Sequence, residues 1–389
     1  MLKESRINAP GAAPHRAHHD HALPMDQPID RPADQPADQP ADQPADQPAG
    51  RCCCYIIPPH MQEHIATNGS VAQKLAAIRS MALSGFMRGM RVERALIGGG
   101  VSTLQKRRTI YDAKQRQTLP GTLVRGERNA ATKDVAVNEA YDGSGNVYDF
   151  FMAAFGRNSI DDKGLRLDST VHYGRRYDNA FWNGQQMVYG DGDGSLFNRF
   201  TISLDVIGHE LTHGVTQYEA ALEYQDEPGA LNESMSDVFG SLVKQWRLKQ
   251  TADKADWLIG AGLLAKGVKG VALRSMIAPG TAYDDPALGK DPQPAHMKDY
   301  YKGQEDNGGV HINSGIPNLA FATAARQLGG AAWQQAGKIW YTALCSRLGP
   351  SSGFHDARVA TLSAALDLYG KTSKEYKAVK AGWDKVGVK

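Results

Sequence analysis

His209-Glu210-Leu211-Thr212-His213 sets two imidazoles four residues apart with a carboxylate beside the first. On a helix, positions four apart share a face, so both imidazoles can reach one metal ion while Glu210 projects toward an open coordination position. That is the layout of a hydrolytic zinc site, in which the metal polarises a carbonyl, lowers the pKa of water and leaves a nearby carboxylate to take the water's proton. The flanking residues 204–208 and Gly214-Val215 are mostly apolar or small, as expected of a helix buried through the centre of a domain.

A second helical stretch, Asn232-Glu233-Ser234-Met235-Ser236-Asp237, follows at a distance, with Glu233 twenty positions after His213. Glu233 and Asp237 are four apart, so one carboxylate can bind the metal while the other reaches behind it to orient a ligand imidazole. A solvated polar helix face is the alternative for both. Met235, Val238 and Phe239 interleave with them, which favours a buried helix.

These two helices need a scaffold, and the chain is long enough for one. It has 389 residues, 41% hydrophobic and 22% charged, an ordinary composition for a globular protein with room for two sizeable cores. A formal charge of +2 argues against a nucleic acid or an anionic membrane as partner. No apolar run approaches the length of a membrane span. The first residues lack the apolar core of a secretory signal, so cytoplasmic synthesis is expected, with export by a signal-less route left open. Three consecutive cysteines, Cys52, Cys53 and Cys54, leave Cys345 with no obvious partner, which is poor evidence for a disulfide framework.

Residues 1–50 are rich in Pro, Asp, Gln and Ala, with Ala33-Asp34-Gln35-Pro36 repeating in tandem through Pro48. This composition predicts a disordered tail. His15, His18, His19 and His21 within it could hold metal loosely or simply be solvated. Composition changes at Arg51, and residues 51–97 read as a separate segment with an amphipathic helix over 62–91. Pro58-Pro59 predicts an extended lead-in, with Ile56, Ile57 and Met61 available as apolar anchors. Gly98-Gly99-Gly100 marks a flexible junction, and a maturation cut between about residues 91 and 106 fits the small and basic residues there.

From 109 to 200, alternation with Gly, Asn and Asp predicts strands and hairpins, interrupted by a helix near 137–155. After residue 204 the pattern is helical, with later helices over 316–328, 331–348, 354–369 and 373–386. The expected class is α+β with two lobes. A β-rich lobe over 98–218 ends in the helix of His209 and His213, a helical lobe covers 219–389, and the metal lies in the cleft between them.

HELTH, Gly229-Ala230-Leu231-Asn232-Glu233-Ser234-Met235-Ser236-Asp237 and residues 306–316, DNGGVHINSGI, together resemble the thermolysin family of neutral metallopeptidases. Residues 177–184, YDNAFWNG, and 187–194, MVYGDGDG, fit the same pattern, as does the tail Val386-Gly387-Val388-Lys389. The likeness covers roughly 108–389. Residues 51–97, with Ile-Pro-Pro, are similar to the short propeptide of the protealysin-like branch. The resemblance implies a zinc endopeptidase made as an autoinhibited precursor. Its partners would be protein or peptide substrates and its own prosegment.

By resemblance, His209, His213 and Glu233 bind the metal and Glu210 is the general base. Asp237 orients His209 and Asn232 supports His213. His311, held by Asp306, and Tyr224 reach the oxygen that becomes charged. Asn179, Arg274 and the backbone of Ala180 and Trp182 hold peptide main chain. Phe197, Val206 and Leu273 line a pocket for a bulky apolar residue just after the scissile bond, although core packing alone would also explain Phe197 and Val206. One departure concerns Lys244, which stands where the family pattern has a glutamate that binds paired calcium ions with the residue here numbered Asp205. An ammonium repels a cation, so that calcium site is doubtful and a Lys244–Asp205 salt bridge is expected instead. A thiolate from Cys52 to Cys54 could also cap the zinc. The rival from another class is a zinc-binding peptide-recognition protein without turnover, against which stands the presence of Glu210, Tyr224 and His311 together.

Overall fold

The computed structural model describes residues 54–90 and 104–389. The repeat tail with its histidines, Cys52 and Cys53, the Gly98-Gly99-Gly100 junction and most of the maturation window lie outside the described residues.

Six strands make the principal sheet: β1 (Cys54–Tyr55), β2 (Arg108–Asp112), β3 (Thr122–Gly126), β4 (Leu167–Val171), β5 (Ala180–Trp182) and β6 (Met187–Tyr189). Their spatial order is β1-β5-β6-β4-β2-β3. The pairs β2/β4 and β4/β6 are parallel, whereas β1/β5, β5/β6 and β2/β3 are antiparallel. All side chains of β5 and β6 are buried, which is why Ala-Phe-Trp and Met-Val-Tyr carry no polar alternation. Helix α3 (Val135–Phe155) packs beside β2 and β4. Asp134 starts it by accepting from the Ala136 and Val137 N–H groups, and Gly156, at φ 71°, ends it in the left-handed region.

Beyond the sheet the chain is helical. α4 (Leu204–Tyr218) and α5 (Asp226–Leu248) lie side by side, followed by α6 (Glu305–Asn313), α7 (Gly315–Leu328), α8 (Ala336–Ser346), α9 (Phe354–Tyr369) and α10 (Lys374–Lys385). α8 starts five residues later than expected, because residues 331–335 form turns. Two ribbons, β7 (Leu258–Ile259) with β8 (Arg274–Ser275) and β9 (Asp284–Asp285) with β10 (Gly289–Lys290), lie in the loop before α6. The class is α+β, with a β-rich N-terminal part and a helical C-terminal part.

The expected single helix over 62–91 is two, α1 (Pro59–Asn68) and α2 (Val71–Met90). Gly69 is extended, and a Cβ there would lie 2.7 Å from Ile65 O. Ser70 and Gln73 then form a reciprocal cap, Ser70 N donating to Gln73 Oε1 and Gln73 N to Ser70 Oγ. Only Pro58 is extended. Pro59 instead opens α1, where its missing N–H is no loss.

His172 fastens the sheet to α3. Its Nδ1 is 2.7 Å from Asp191 Oδ1 and its Nε2 2.9 Å from Asp134 Oδ2. The Asp191 hydrogen bond leads in pushing its pKa up to about 9, against partial burial and with help from Asp134. An unfolded histidine titrates near about 6.5, so this contribution to stability is complete below that pH and is lost as pH rises through about 9. Urea midpoints of wild type and His172→Gln should therefore differ most near pH 6 and converge above pH 9. A gap that did not change with pH would remove the charged pair as its cause.

Candidate metal centre and substrate cleft

α4 is buried along almost its whole length and carries His209 and His213 on one face. His209 Nδ1 is 2.7 Å from Asp237 Oδ1. His213 Nδ1 is 2.9 Å from Asn232 Oδ1 and 3.0 Å from Ser236 Oγ. With both Nδ1 atoms tied outward, the two Nε2 atoms face each other at 3.0 Å, each 3.4 Å from an oxygen of Glu233. Burial lowers the pKa of His209, but Asp237 and Glu233 outweigh it and raise it to about 9, whereas burial pushes His213 down to about 3. Two ring nitrogens at this distance beside a carboxylate must share either a proton or a metal ion.

A zinc ion fits that demand. His209, His213 and Glu233 offer two nitrogens and one oxygen within 4.8 Å of one another, the donor set of a zinc site that keeps a position open. Glu233 Oε2 and Glu210 Oε1 are buried without a hydrogen-bond partner. Glu210 Oε2 accepts the Trp182 N–H at 3.0 Å, and burial pushes its pKa up to about 8. A carboxylate with such proton affinity suits a group that accepts a proton and then gives it away.

Asp237 is 0% exposed and serves three partners besides the backbone of its own helix. It accepts His209 Nδ1, Arg274 Nε and Nη2 at 2.8 Å each, and Asn318 Nδ2 at 2.8 Å. Burial would raise its pKa, yet Arg274 and His209 hold it down at about 2. Asn318 was not anticipated from the sequence, nor were Ser236 and Ser234, whose hydroxyl donates to Asn318 Oδ1. An asparagine inside the apolar run of α7 was the available signal, since a buried amide must find partners.

α6 is interrupted by Asp306, Asn307, Gly308 and Gly309, all with φ between 51° and 78°. This left-handed turn, for which Asp-Asn-Gly-Gly is well suited, brings Asp306 back onto His311. Asp306 Oδ2 accepts the His311 N–H at 2.9 Å, and its Oδ1 is 2.7 Å from His311 Nδ1. Burial opposes the charge on His311, but Asp306 and Glu233 raise its pKa to about 9, so both ring nitrogens can donate. The Tyr224 hydroxyl donates to Glu233 and lies 3.2 Å from His311 Nε2.

Residues 54–57 occupy the cleft. β1 pairs with the edge strand β5, Cys54 opposite Trp182 and Tyr55 opposite Phe181. Asn179, Ala180 and Arg274 each bind main chain of Ile56 or Ile57. Phe197, Val206 and Leu273 are almost fully buried in the same core cluster as Ile56. Phe197 also lies 6.0 Å from the Phe200 ring, so core packing is part of its role. The cleft hydrogen bonds concentrate on Tyr55 to Ile57, just ahead of Pro58-Pro59. Prolines have no N–H to offer. Ile56, Ile57, Met61 and Ile65 are at most 1% exposed. At about 1.5–3 kcal/mol for each buried side chain, they outweigh hydrogen bonds worth about 1 kcal/mol each. The apolar anchors hold the segment and the hydrogen bonds set its register.

Glycines set the spacing of the ligand helices. A Cβ on Gly240 of α5 would lie 2.4 Å from Asp205 O and 2.9 Å from His209 N, and one on Gly208 would lie 2.9 Å from Gly240 Cα. Backbone cannot yield as a side chain does. Gly240→Ala should therefore force α4 and α5 apart, destabilising the protein by about 1–3 kcal/mol and weakening metal binding. Thermal unfolding and chelator competition measure the two effects, and a destabilised variant with unchanged zinc affinity would separate ligand geometry from helix spacing.

Residues 99–217 match the family described as thermolysin metallopeptidase, catalytic domain, and residues 220–388 match thermolysin metallopeptidase, alpha-helical domain. An extracellular metalloprotease of Pectobacterium carotovorum subsp. carotovorum is 52% identical over 342 residues, covering 86% of this chain and 96% of its own. Protease PrtS of a Photorhabdus species is 54% identical over 285 residues, 72% of this chain and 76% of its own. The solved precursor of protealysin, a metalloproteinase from Serratia proteamaculans, superposes with a TM-score of 0.79 at 55% identity, covering 86% of this chain and all of that one.

Proposed function

This chain belongs to the thermolysin family of metallopeptidases, protealysin-like branch, and is a zinc endopeptidase made as a precursor; from that premise we propose how its residues divide the work. His209, His213 and Glu233 hold the zinc, with Asp237 and Asn232 fixing the two imidazoles. When bound, zinc supplies a Lewis acid that polarises the substrate carbonyl and makes water a stronger acid. Glu210 takes the proton of the attacking water at Oε1, its Oε2 being held by the Trp182 N–H, and delivers it to the departing amine. His311 Nε2, with the Tyr224 hydroxyl beside it, donates to the carbonyl oxygen as charge builds there. Asp306 keeps that imidazole charged and aimed.

Asn179, Ala180, Trp182 and Arg274 hold the substrate as an added strand on β5. Phe197, Val206 and Leu273 favour a bulky apolar residue after the scissile bond, so cleavage falls on its amino side. The observation that carries this reading is the paired Nε2 atoms facing Glu233, beside a Glu210 oxygen with no partner. Glu210, Tyr224 and His311 around one cleft also favour turnover over a zinc-dependent peptide binder. The proposed organisation is a tail over 1–50, an inhibitory prosegment over 51–97, a β-rich lobe over 98–218 and a helical lobe over 219–389.

Calcium is not needed at Asp205. Lys244 Nζ is 2.7 Å from Asp205 Oδ2, 2.8 Å from Asp256 Oδ1 and 2.7 Å from Leu258 O, so an ammonium supplies the positive charge that a cation would. Among the described residues no helix is long and apolar enough to cross a membrane. Cytoplasmic synthesis followed by export is in keeping with the extracellular relative, and assay of cells and medium for the protein tests it.

Glu210→Gln should keep zinc and lose turnover, because the amide preserves shape but cannot take a proton; a zinc-loaded variant with wild-type activity would sink the mechanism. Glu233→Ala should lose metal first. His311→Ala should lower kcat by about a hundredfold with little change in KM. Lys244→Ala should leave Asp205 buried without its partner and destabilise the fold by about 3–5 kcal/mol. Calorimetry of the wild type with and without a calcium-selective chelator should give the same Tm.

A further inference from the structure

The main chain of the prosegment can be read atom by atom against the groups proposed to hold substrate. His311 Nε2, the donor for the reacting carbonyl, is 2.9 Å from Tyr55 O. Ile56 N donates to Ala180 O at 3.2 Å, and Ile56 O accepts from Arg274 Nη1 at 3.3 Å. Ile57 N donates to Asn179 Oδ1 at 3.0 Å, and Ile57 O accepts from Asn179 Nδ2 at 3.3 Å. From Tyr55 O to Ile57 O, every main-chain polar group is engaged. The residue after the carbonyl that His311 holds is Ile56, bulky, apolar and 0% exposed within the main hydrophobic core. A cavity of about 120 Å³, lined by residues including Tyr55, Asn179, Tyr224 and His311, leaves room for water next to that carbonyl.

We propose that the Tyr55–Ile56 peptide bond is a self-cleavage site, held in substrate register and hydrolysed in cis by the chain's own cleft. This inference rests on the functional reading above. Water adds to the Tyr55 carbonyl carbon while Glu210 accepts one of its protons. The carbon–nitrogen bond then breaks as that proton passes to the Ile56 nitrogen, and the water's second proton follows it, leaving a carboxylate on Tyr55 and an ammonium on Ile56. The cut removes residues 1–55 and is separate from maturation. Ile56, Ile57, Met61 and Ile65 stay buried after it, and Ser84 Oγ and Ser80 Oγ still contact Tyr177 OH and Asp178 N. The trimmed precursor therefore remains inhibited.

Intact-mass analysis of zinc-loaded full-length precursor should show a fragment of residues 1–55 and a chain beginning at Ile56, formed at a rate independent of protein concentration. Ile56→Gly should slow this cut by roughly tenfold or more, and Ile56→Leu should retain it. The matured enzymes from both variants should cut an external apolar peptide like wild type, because Ile56 is gone from them. A second readout needs no turnover. Tyr-Ile occurs once in the chain, so labelling tyrosine carbonyls with carbon-13 and isoleucine nitrogens with nitrogen-15 isolates this one peptide bond. In a zinc-loaded Glu210→Gln precursor, its carbonyl resonance should move when His311 is also changed to Ala. An enzyme active on the external peptide that never yields the 1–55 fragment, or a resonance indifferent to His311, overturns the self-cleavage proposal alone. A matured enzyme inactive on the external peptide overturns the functional reading and this inference with it.

Discussion

The buried carboxylate of Asp237 is the constraint on which the cleft depends. It sits on α5 and receives hydrogen bonds from His209 on α4, Arg274 on β8 and Asn318 on α7. A lone carboxylate at this depth would be driven to protonate, and a lone guanidinium would be as unfavourable, so each makes the other tolerable. The arrangement has a chemical consequence. The carboxylate that orients His209 also orients the Arg274 guanidinium that holds Ile56 O, so the proposed metal and substrate sites are tied to one group.

Close helix contact gives that carboxylate its partners. Gly208 and Gly240 let α4 and α5 approach until backbone nearly touches backbone, and His209, His213 and Glu233 then meet at ligand distance. Asp205 and Lys244 span the same two helices with a charge pair. That tie is made of side chains alone.

Residues 54–57 lie along β5 in the cleft, hydrogen-bonded to the groups that surround it. An edge strand with unpaired hydrogen-bonding groups accepts any extended peptide, and residues 54–57 supply one with isoleucines at the buried positions. α1 and α2 hold it there by burial of Met61 and Ile65 and by contacts near Tyr177 and Asp178. Asn179, Arg274 and His311, the groups proposed to hold substrate, are the ones that engage the main chain of residues 55–57.

What the amino-acid sequence determined by itself was local. The four-residue spacing of His209 and His213, and of Glu233 and Asp237, follows from helix periodicity alone, and Asp134 and Ser373 mark two helix starts as side-chain caps. The break at Gly69 was legible too, in the Ser70 and Gln73 capping pair, although amphipathic periodicity continued across it and favoured one long helix. The tertiary structure decided the rest. Asn318 lies 81 positions from Asp237, and Tyr55 lies 256 from His311, and no periodicity links such pairs. Their contacts arise only when whole faces are buried together, because a buried polar group must then pair with whatever packing brings within reach. The register of residues 55–57 is of this kind: the stiffness of Pro58-Pro59 was visible in the sequence, but only the tertiary structure set Tyr55 O against His311 and the main chain of Ile56 and Ile57 against Ala180, Arg274 and Asn179.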